Sequence, residues 1–384
     1  MKFTRRKFLS SSIAGLALPN VIGLLSSCAN PEFIQANENI ILGGSKFTEA
    51  NDAQTKFALS IVNLKLEQHK LVPIDFLAHG IILDPLDNHR LVMFEKIGPG
   101  ACEVDMRTMT RTRKIIAGEN RYFYGHGAFS HDGLYLYSTE TYLDSQQGVI
   151  AIRDAATFQL LGEFPTYGSN PHECQLVEDG KVMVITNGGR DLMSGDAPSV
   201  TYVDVDNQQL LERVVLNNKL INTGHMGITD EGALIVVSAP RSGLKKTDLG
   251  GVSIKPGDGL IQSIAQPEKI VSRMIGEALS VVIHEESGIC AVTHPDGNMV
   301  TFWSIADGRL LKNLDFPKPR GVSLTLDDKY FVLSYGPEAN LTLIKIDGLI
   351  QAPEVNIPST YITGSHIYNW SKALSETDLS ASSA

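Results

Sequence analysis

Five of the ten histidines fall at one recurring place in the chain: His79 in "AHGIIL", His126 in "YGHGAF", His172 in "NPHECQ", His225 in "GHMGI" and His366 in "SHIYNW". Each stands where a glycine-rich or polar stretch gives way to alternating apolar residues. A neutral imidazole is a nitrogen donor for first-row transition ions, and it titrates near neutrality. The intervals are regular: 47 residues from His79 to His126, 46 to His172 and 53 to His225. Arg320 follows 95 residues after His225, which is two periods, and His366 comes 46 after that. Arg320 therefore holds the same position in a sixth copy, and Ser280 holds it in the fifth.

The elements that must carry this position are strands. Each copy reads as a short strand, a turn rich in Asp, Gly, Asn or Ser, and a second strand dense in Val, Ile, Leu and Tyr. A further pair follows most copies, as in "GVIAIRDAATFQLLGEF" and "MVTFWSIADGRLLKNLDF". Four strands every 40–50 residues or so are the signature of propeller blades. The expected fold class is all-β, a seven-bladed β-propeller whose N- and C-terminal strands close one blade. "SHIYNWSKAL" supplies only an inner strand, and "NIILGGSKF" begins at a second one, so the two complete each other. Closure removes the exposed edges that invite aggregation. The propeller is expected over residues 40–372, with a disordered tail over 373–384.

In a propeller the first strand of each blade lines the central channel, so this position places His79, His126, His172, His225 and His366 at the channel mouth. The second-to-third-strand loops share that face and bring Lys46, Glu95, Glu140, Asn187, Arg241, His294 and Tyr335, with Arg320 alongside as a ligand or partner face. A full ring of blades is expected to hold the imidazoles too far apart for one ion. Three or four neighbours, or His with Glu140, are the expected ligand set, and iron, copper or zinc the candidate ions. Cys174, two residues past His172, lies on the same side of its strand and is expected to be a packed thiol. Two other readings stay open: an interaction platform whose histidines are structural, as in tryptophan–aspartate repeats, and a lactonase-like or metal-dependent enzyme. The sequence has no GxSxG elbow, HExxH, CxxC or CxxCH.

The first residues read as an address. Arg5 and Arg6 followed by "KFL" form a twin-arginine export signal, and "LSSC" ending at Cys28 resembles a lipobox. Residues 1–27 are thus expected to be a signal, Cys28 to be lipidated, and 28–39 to be a tether. The protein is placed in the periplasm, on a membrane by its lipid. The chain carries a net charge of −10, and the signal holds four basic residues and no acid, so the remainder stands at −14. That excludes the basic footprint expected for nucleic-acid binding. Cys102, Cys174 and Cys290 are widely spaced and are expected to be buried thiols.

The segments "FEKIGPGACEVD", "GHGAFSHDGLYLYSTETYLDSQQGVIAIRDA", "GEFPTYGSNPHECQLVEDGKVMVITNGG" and "APSVTYVD" resemble the bacterial family known as domain of unknown function 1513. The resemblance implies an exported seven-bladed propeller from gene clusters associated with iron uptake, with imelysin-type or dihaem oxidoreductase-like periplasmic proteins as partners. It implies no catalytic residue. Where the family has a longer loop containing "THP", this chain reads "GGRDLMSGDAPSV".

Overall fold

The architecture follows from seven repeats of one hydrophobic rhythm: strands that alternate or run apolar, broken by turn residues with positive φ such as Gly133, Asp179, Gly232 and Asp328. The computed structural model describes residues 33–49, 52–193 and 195–375. Arg5, Arg6 and Cys28 lie outside the described residues. Seven four-stranded antiparallel sheets form a ring. Blade 1 comprises Ala78–Leu83, Arg90–Glu95, Ala101–Asp105 and Thr110–Lys114. Blades 2 to 6 begin at the inner strands Arg121–Phe129, Pro171–Val177, Met226–Ile228, Val281–His284 and Val322–Leu324.

Blade 7 joins the last described strand to the first three. Its inner strand is Ile367–Asn369, paired to Ile40–Glu49 in the register Ile41 to Asn369, Leu42 to Tyr368 and Gly43 to Ile367. Asp52–Asn63 and Gln68–Ile74 complete it. The expected clasp is therefore present. Trp370 secures it: its ring is buried and its indole N–H donates to the Asn88 carbonyl at 2.8 Å.

Each inter-blade interface holds its own apolar cluster. Phe302 and Ala291 of blade 5 meet Phe331 and Leu333 of blade 6, and Phe94 of blade 1 meets Phe123 of blade 2. Cys174 packs with Tyr137, Phe164 and Met183 between blades 2 and 3. Cys102, Cys174 and Cys290 are all buried and free. Burial pushes the Cys102 and Cys290 thiols up to about 12 and raises Cys174 as well, so Cys174 packs as a neutral thiol.

Two boundaries differ from those expected. The tether does not run free to residue 39, because Phe33 is buried in the cluster shared by blades 7 and 1. Asn63 of blade 7 donates to the Phe33 carbonyl at 2.9 Å and to Glu38 at 2.7 Å. Nor does the tail begin at 373: residues 370–375 form a helical turn, and Leu374 lies in the same cluster. Apolar side chains decide both cases. Among the described residues, no helix is long and apolar enough to cross a membrane.

Candidate metal centre

The five histidines stand where the inner strands are irregular. In blades 1, 2 and 3 the ladder slips between Ala78 and Gly80, between Phe123 and Gly127, and between Pro171 and Cys174. His79, His126 and His172 sit inside these slips. A bulge of this kind re-aims a side chain, here toward the channel axis. His225 and His366 occupy the residue just before their strands. Glycine permits the crowding: Gly125 has φ +116°, and a Cβ there would meet His79 Cδ2 at 2.8 Å.

All five imidazoles are buried, 2–8% exposed. They sit within the channel, one step inside its mouth. They also come much closer together than a full ring of blades suggests. Donor atoms of His79, His126, His225 and His366 lie within 4.8 Å of one another. The His225 and His366 ring centres are 4.0 Å apart, and those of His79 and His366 4.7 Å. The expectation of an over-wide ring is thus corrected. The bulges move the imidazoles inward, and Ser280 and Arg320 leave them room. The Ser280 hydroxyl lies 3.3 Å from His366 Nδ1, and Arg320 Nε donates instead to the Gly364 carbonyl at 2.9 Å.

The nitrogen contacts leave lone pairs that hydrogen bonds within the cluster cannot all satisfy. His172 Nε2 is 3.4 Å from His79 Nε2 and 3.0 Å from His225 Nε2, and His225 Nε2 is 3.0 Å from His366 Nε2. A neutral imidazole nitrogen carries either one proton or one lone pair, so this chain of three contacts can hold at most two hydrogen bonds. His126 Nε2 is buried with no partner at all. The donor atoms of His79, His126, His225 and His366 lie close enough for one metal ion to satisfy the surplus lone pairs. Tetrahedral zinc with bonds of about 2.0–2.1 Å needs nitrogen separations near 3.4 Å, within reach of this set.

The protonation of the rings and the groups behind them suit the same purpose. Burial holds His79, His172, His225 and His366 well below the usual imidazole range, and repulsion between imidazoles adds to it. Burial lowers His126 likewise. All five are therefore neutral at pH 7. Glu173 Oε2 lies 3.1 Å from His225 Nδ1 and also accepts the Met226 N–H at 3.1 Å. The carboxylate fixes His225 as the Nδ1–H tautomer and leaves Nε2 as donor, as carboxylates commonly do behind ligating histidines. Residue type alone did not single out Glu173. Its only sequence signal is adjacency to His172, which at a bulge does not guarantee the opposite face.

The expected ligand and partner face is mostly internal structure. Glu140 is not a ligand: it is fully buried between Arg121 and Arg153 and accepts the Gly118 N–H. Asn187 donates to Thr201 Oγ1 at 3.0 Å, and Glu95 accepts the N–H of Gly100 in its own loop. His294 Nε2 lies 2.9 Å from Thr301 Oγ1, and Tyr335 donates to Asn356 at 2.9 Å. Lys46 is exposed and tied through its backbone to Thr363. Arg241 alone of these lines the channel mouth. It holds the carbonyls of Arg190 at 3.0 Å and Asp196 at 2.7 Å.

The mouth is a funnel of about 690 Å³, with His172 and Tyr124 among its walls. On the other side of the histidines a second cavity of about 230 Å³ is lined by His126, His225, His366 and Glu173. The mouth residues not foreseen are Lys96 and Glu277, which pair at 3.0 Å from blade 1 to the segment entering blade 5.

Fold and site together define a seven-bladed propeller with imidazoles gathered in its channel. The chain belongs to the family described as protein of unknown function (DUF1513), whose pattern matches residues 72–348. No curated protein matches it by sequence. Similar solved structures include Kuenenia stuttgartiensis hydrazine synthase, with a TM-score of 0.60 at 13% identity, covering 79% of this chain and 96% of that one. Another is the dihydro-heme d1 dehydrogenase NirN in complex with DHE, with a TM-score of 0.55 at 10% identity, covering 87% and 69%. At such identities the likeness is one of fold.

Proposed function

We propose that this protein binds a divalent transition metal where His79, His126, His225 and His366 converge, with His172 as a further donor on the funnel side. We further propose that it serves metal acquisition as a non-enzymatic, lipid-anchored component of the periplasm. One observation carries the reading: four buried imidazole donors lie within 4.8 Å of one another, and His126 Nε2 has no other partner. Neutral nitrogen donors without thiolate or carboxylate suit copper, zinc and iron, with copper(II) favoured by intrinsic affinity. The bound group would supply a positive centre; the protein orients the rings, keeps them neutral and excludes bulk water.

The test is the metal content of the purified mature protein, followed by titration of the metal-free form with copper(II), zinc(II) and iron(II). One ion per chain is expected, with affinity reduced at least about 100-fold in a His126→Ala/His225→Ala variant, since two of four donors are gone. Equal binding by parent and variant would place the ion elsewhere. Failure of all three ions to bind would favour the interaction-platform reading, in which the histidines only pack the channel.

A further inference from the structure

The funnel above the histidines carries its own chemistry. Lys96, Arg241 and Lys246 line it against Glu277 and Asp296. Asp296 is already neutralised by Lys318 at 2.7 Å, and Glu277 by Lys96. Arg241 is held by carbonyl oxygens, and Lys246 forms no ion pair among the described residues. The mouth is thus locally positive on a chain of net charge −10. A cleft of one sign concentrates ligands of the other. A bare dication is disfavoured there, and the Lys96 charge is felt at all five imidazoles.

We propose that the funnel is a binding site for a small carboxylate-bearing metal chelate, which docks on Lys96, Arg241 and Lys246 and passes its ion to the cluster through His172. This rests on the metal reading above and adds the form in which the metal arrives. The volume of about 690 Å³ accommodates such a chelate. The Lys96–Glu277 pair spans the channel between distant blades, with its side chains 39% and 35% exposed. A pair of that exposure contributes at most about 1 kcal/mol, so a ligand carboxylate can replace Glu277 on Lys96. His172 is the one cluster member lining the funnel. Its Nε2 lies 3.0 Å from that of His225, so an ion bound to His172 is already beside the deeper donors. The transfer is ligand exchange without change of oxidation state. Metal–oxygen bonds to the chelator break and metal–nitrogen bonds form. The chelator leaves as the free anion, taking up from solvent whatever protons its pKa values require.

The experiment compares the rate at which metal-free protein takes up copper(II) from two donors, copper(II)–citrate and aqua copper(II), in the parent and in Lys96→Gln/Lys246→Glu. Both residues are partly or fully exposed, and a Lys246→Gln single variant repeats the measurement with a smaller change. Uptake from the anionic donor is expected to fall about tenfold or more, and uptake from the aqua ion to hold or rise, because steering reverses with charge. Added salt should slow the parent's citrate-dependent uptake and should not slow the variant's. Equal slowing for both donors, or no change for either, overturns the proposal. If the parent takes copper from neither donor and zinc(II) and iron(II) also fail to bind, the metal reading fails, and the funnel is judged by titrating citrate alone into both proteins. Citrate binding that the variant loses supports the anion site; no citrate binding by the parent overturns it.

Discussion

An imidazole removed from water favours its neutral form, and this protein uses that in two ways. In the channel it leaves lone pairs free at neutral pH. In blade 5 it keeps His294 uncharged beside Thr301, whose hydroxyl also accepts the Trp303 indole N–H at 2.7 Å. Burial pushes His294 down to about 3, with the Arg273 charge adding a smaller push. The sign of the pH dependence follows. In the unfolded chain His294 titrates near 6.5, so below that pH the unfolded state binds a proton that the folded state does not. Its share of stability is complete above about pH 6.5 and is lost progressively as pH falls toward 3, at up to about 1.4 kcal/mol per unit. Urea unfolding at pH 7.5, 6, 5 and 4 of the parent and of His294→Gln checks this. The variant should show the shallower decline, and identical slopes would mean that His294 does not titrate as its burial requires.

At the scale of the element, the inner strand carries the site through its irregularity. The repeat interval, the alternating strands and the incomplete units at both ends made the propeller and its clasp legible, because each reports local strand and turn preference. The bulges were not legible, since a slip of register depends on the neighbouring strand. That is why the five imidazoles were expected around a wide rim instead of at one point. Glu140 was misplaced for a related reason. Its type and place near a turn suggest a side chain facing the channel, but Glu140 lies within the strand Tyr135–Tyr142, and Arg121 and Arg153 on the two flanking strands of the same blade enclose it. Gly125 tests the role of the bulge. Its φ of +116° strains any L residue, and a Cβ would press on His79 Cδ2. Gly125→Ala removes no donor, yet it should cost about 1–3 kcal/mol of stability and reduce copper(II) affinity by shifting His79. Urea unfolding and metal titration measure the two effects. Loss of stability with unchanged affinity would show that the bulge supports the strand but not the site.

For the whole molecule, the first and last described segments meet on one face. Phe33 packs near Asn63, and Trp370 bonds to Asn88. Both partners stand at turns on the side away from the funnel. If Cys28 is lipidated, five residue steps lead from it to Phe33, a reach of at most about 18 Å. The lipid would then hold that face toward the membrane and turn the funnel outward. In cells, a membrane-impermeant maleimide should label Met193→Cys, 92% exposed on the funnel-side loops, once the outer membrane is opened, and Cys28→Ser should release the protein from the membrane fraction. Protection of Met193→Cys in the anchored form would reverse the orientation.

The same meeting of ends makes ring closure depend on few residues. Ile367–Asn369 adds one short strand to blade 7, and Trp370 and Leu374 add the apolar grip. His366 sits just before this strand, so the clasp and the candidate metal centre depend on the same segment. Trp370→Ala should cost about 3–5 kcal/mol, as large buried aromatics do. Truncation after Gly364 should do more, leaving Ile40–Glu49 as an open edge available for pairing with another chain and removing the His366 imidazole from the cluster. The truncated protein is expected to unfold less cooperatively, to associate at micromolar concentration, and to regain both a sharp transition and copper(II) affinity when a peptide of residues 365–384 is supplied. Urea unfolding, light scattering and metal titration with and without the peptide decide the matter. A truncated chain that stays monomeric with an unchanged midpoint would mean that the seven inter-blade clusters hold the ring without the clasp.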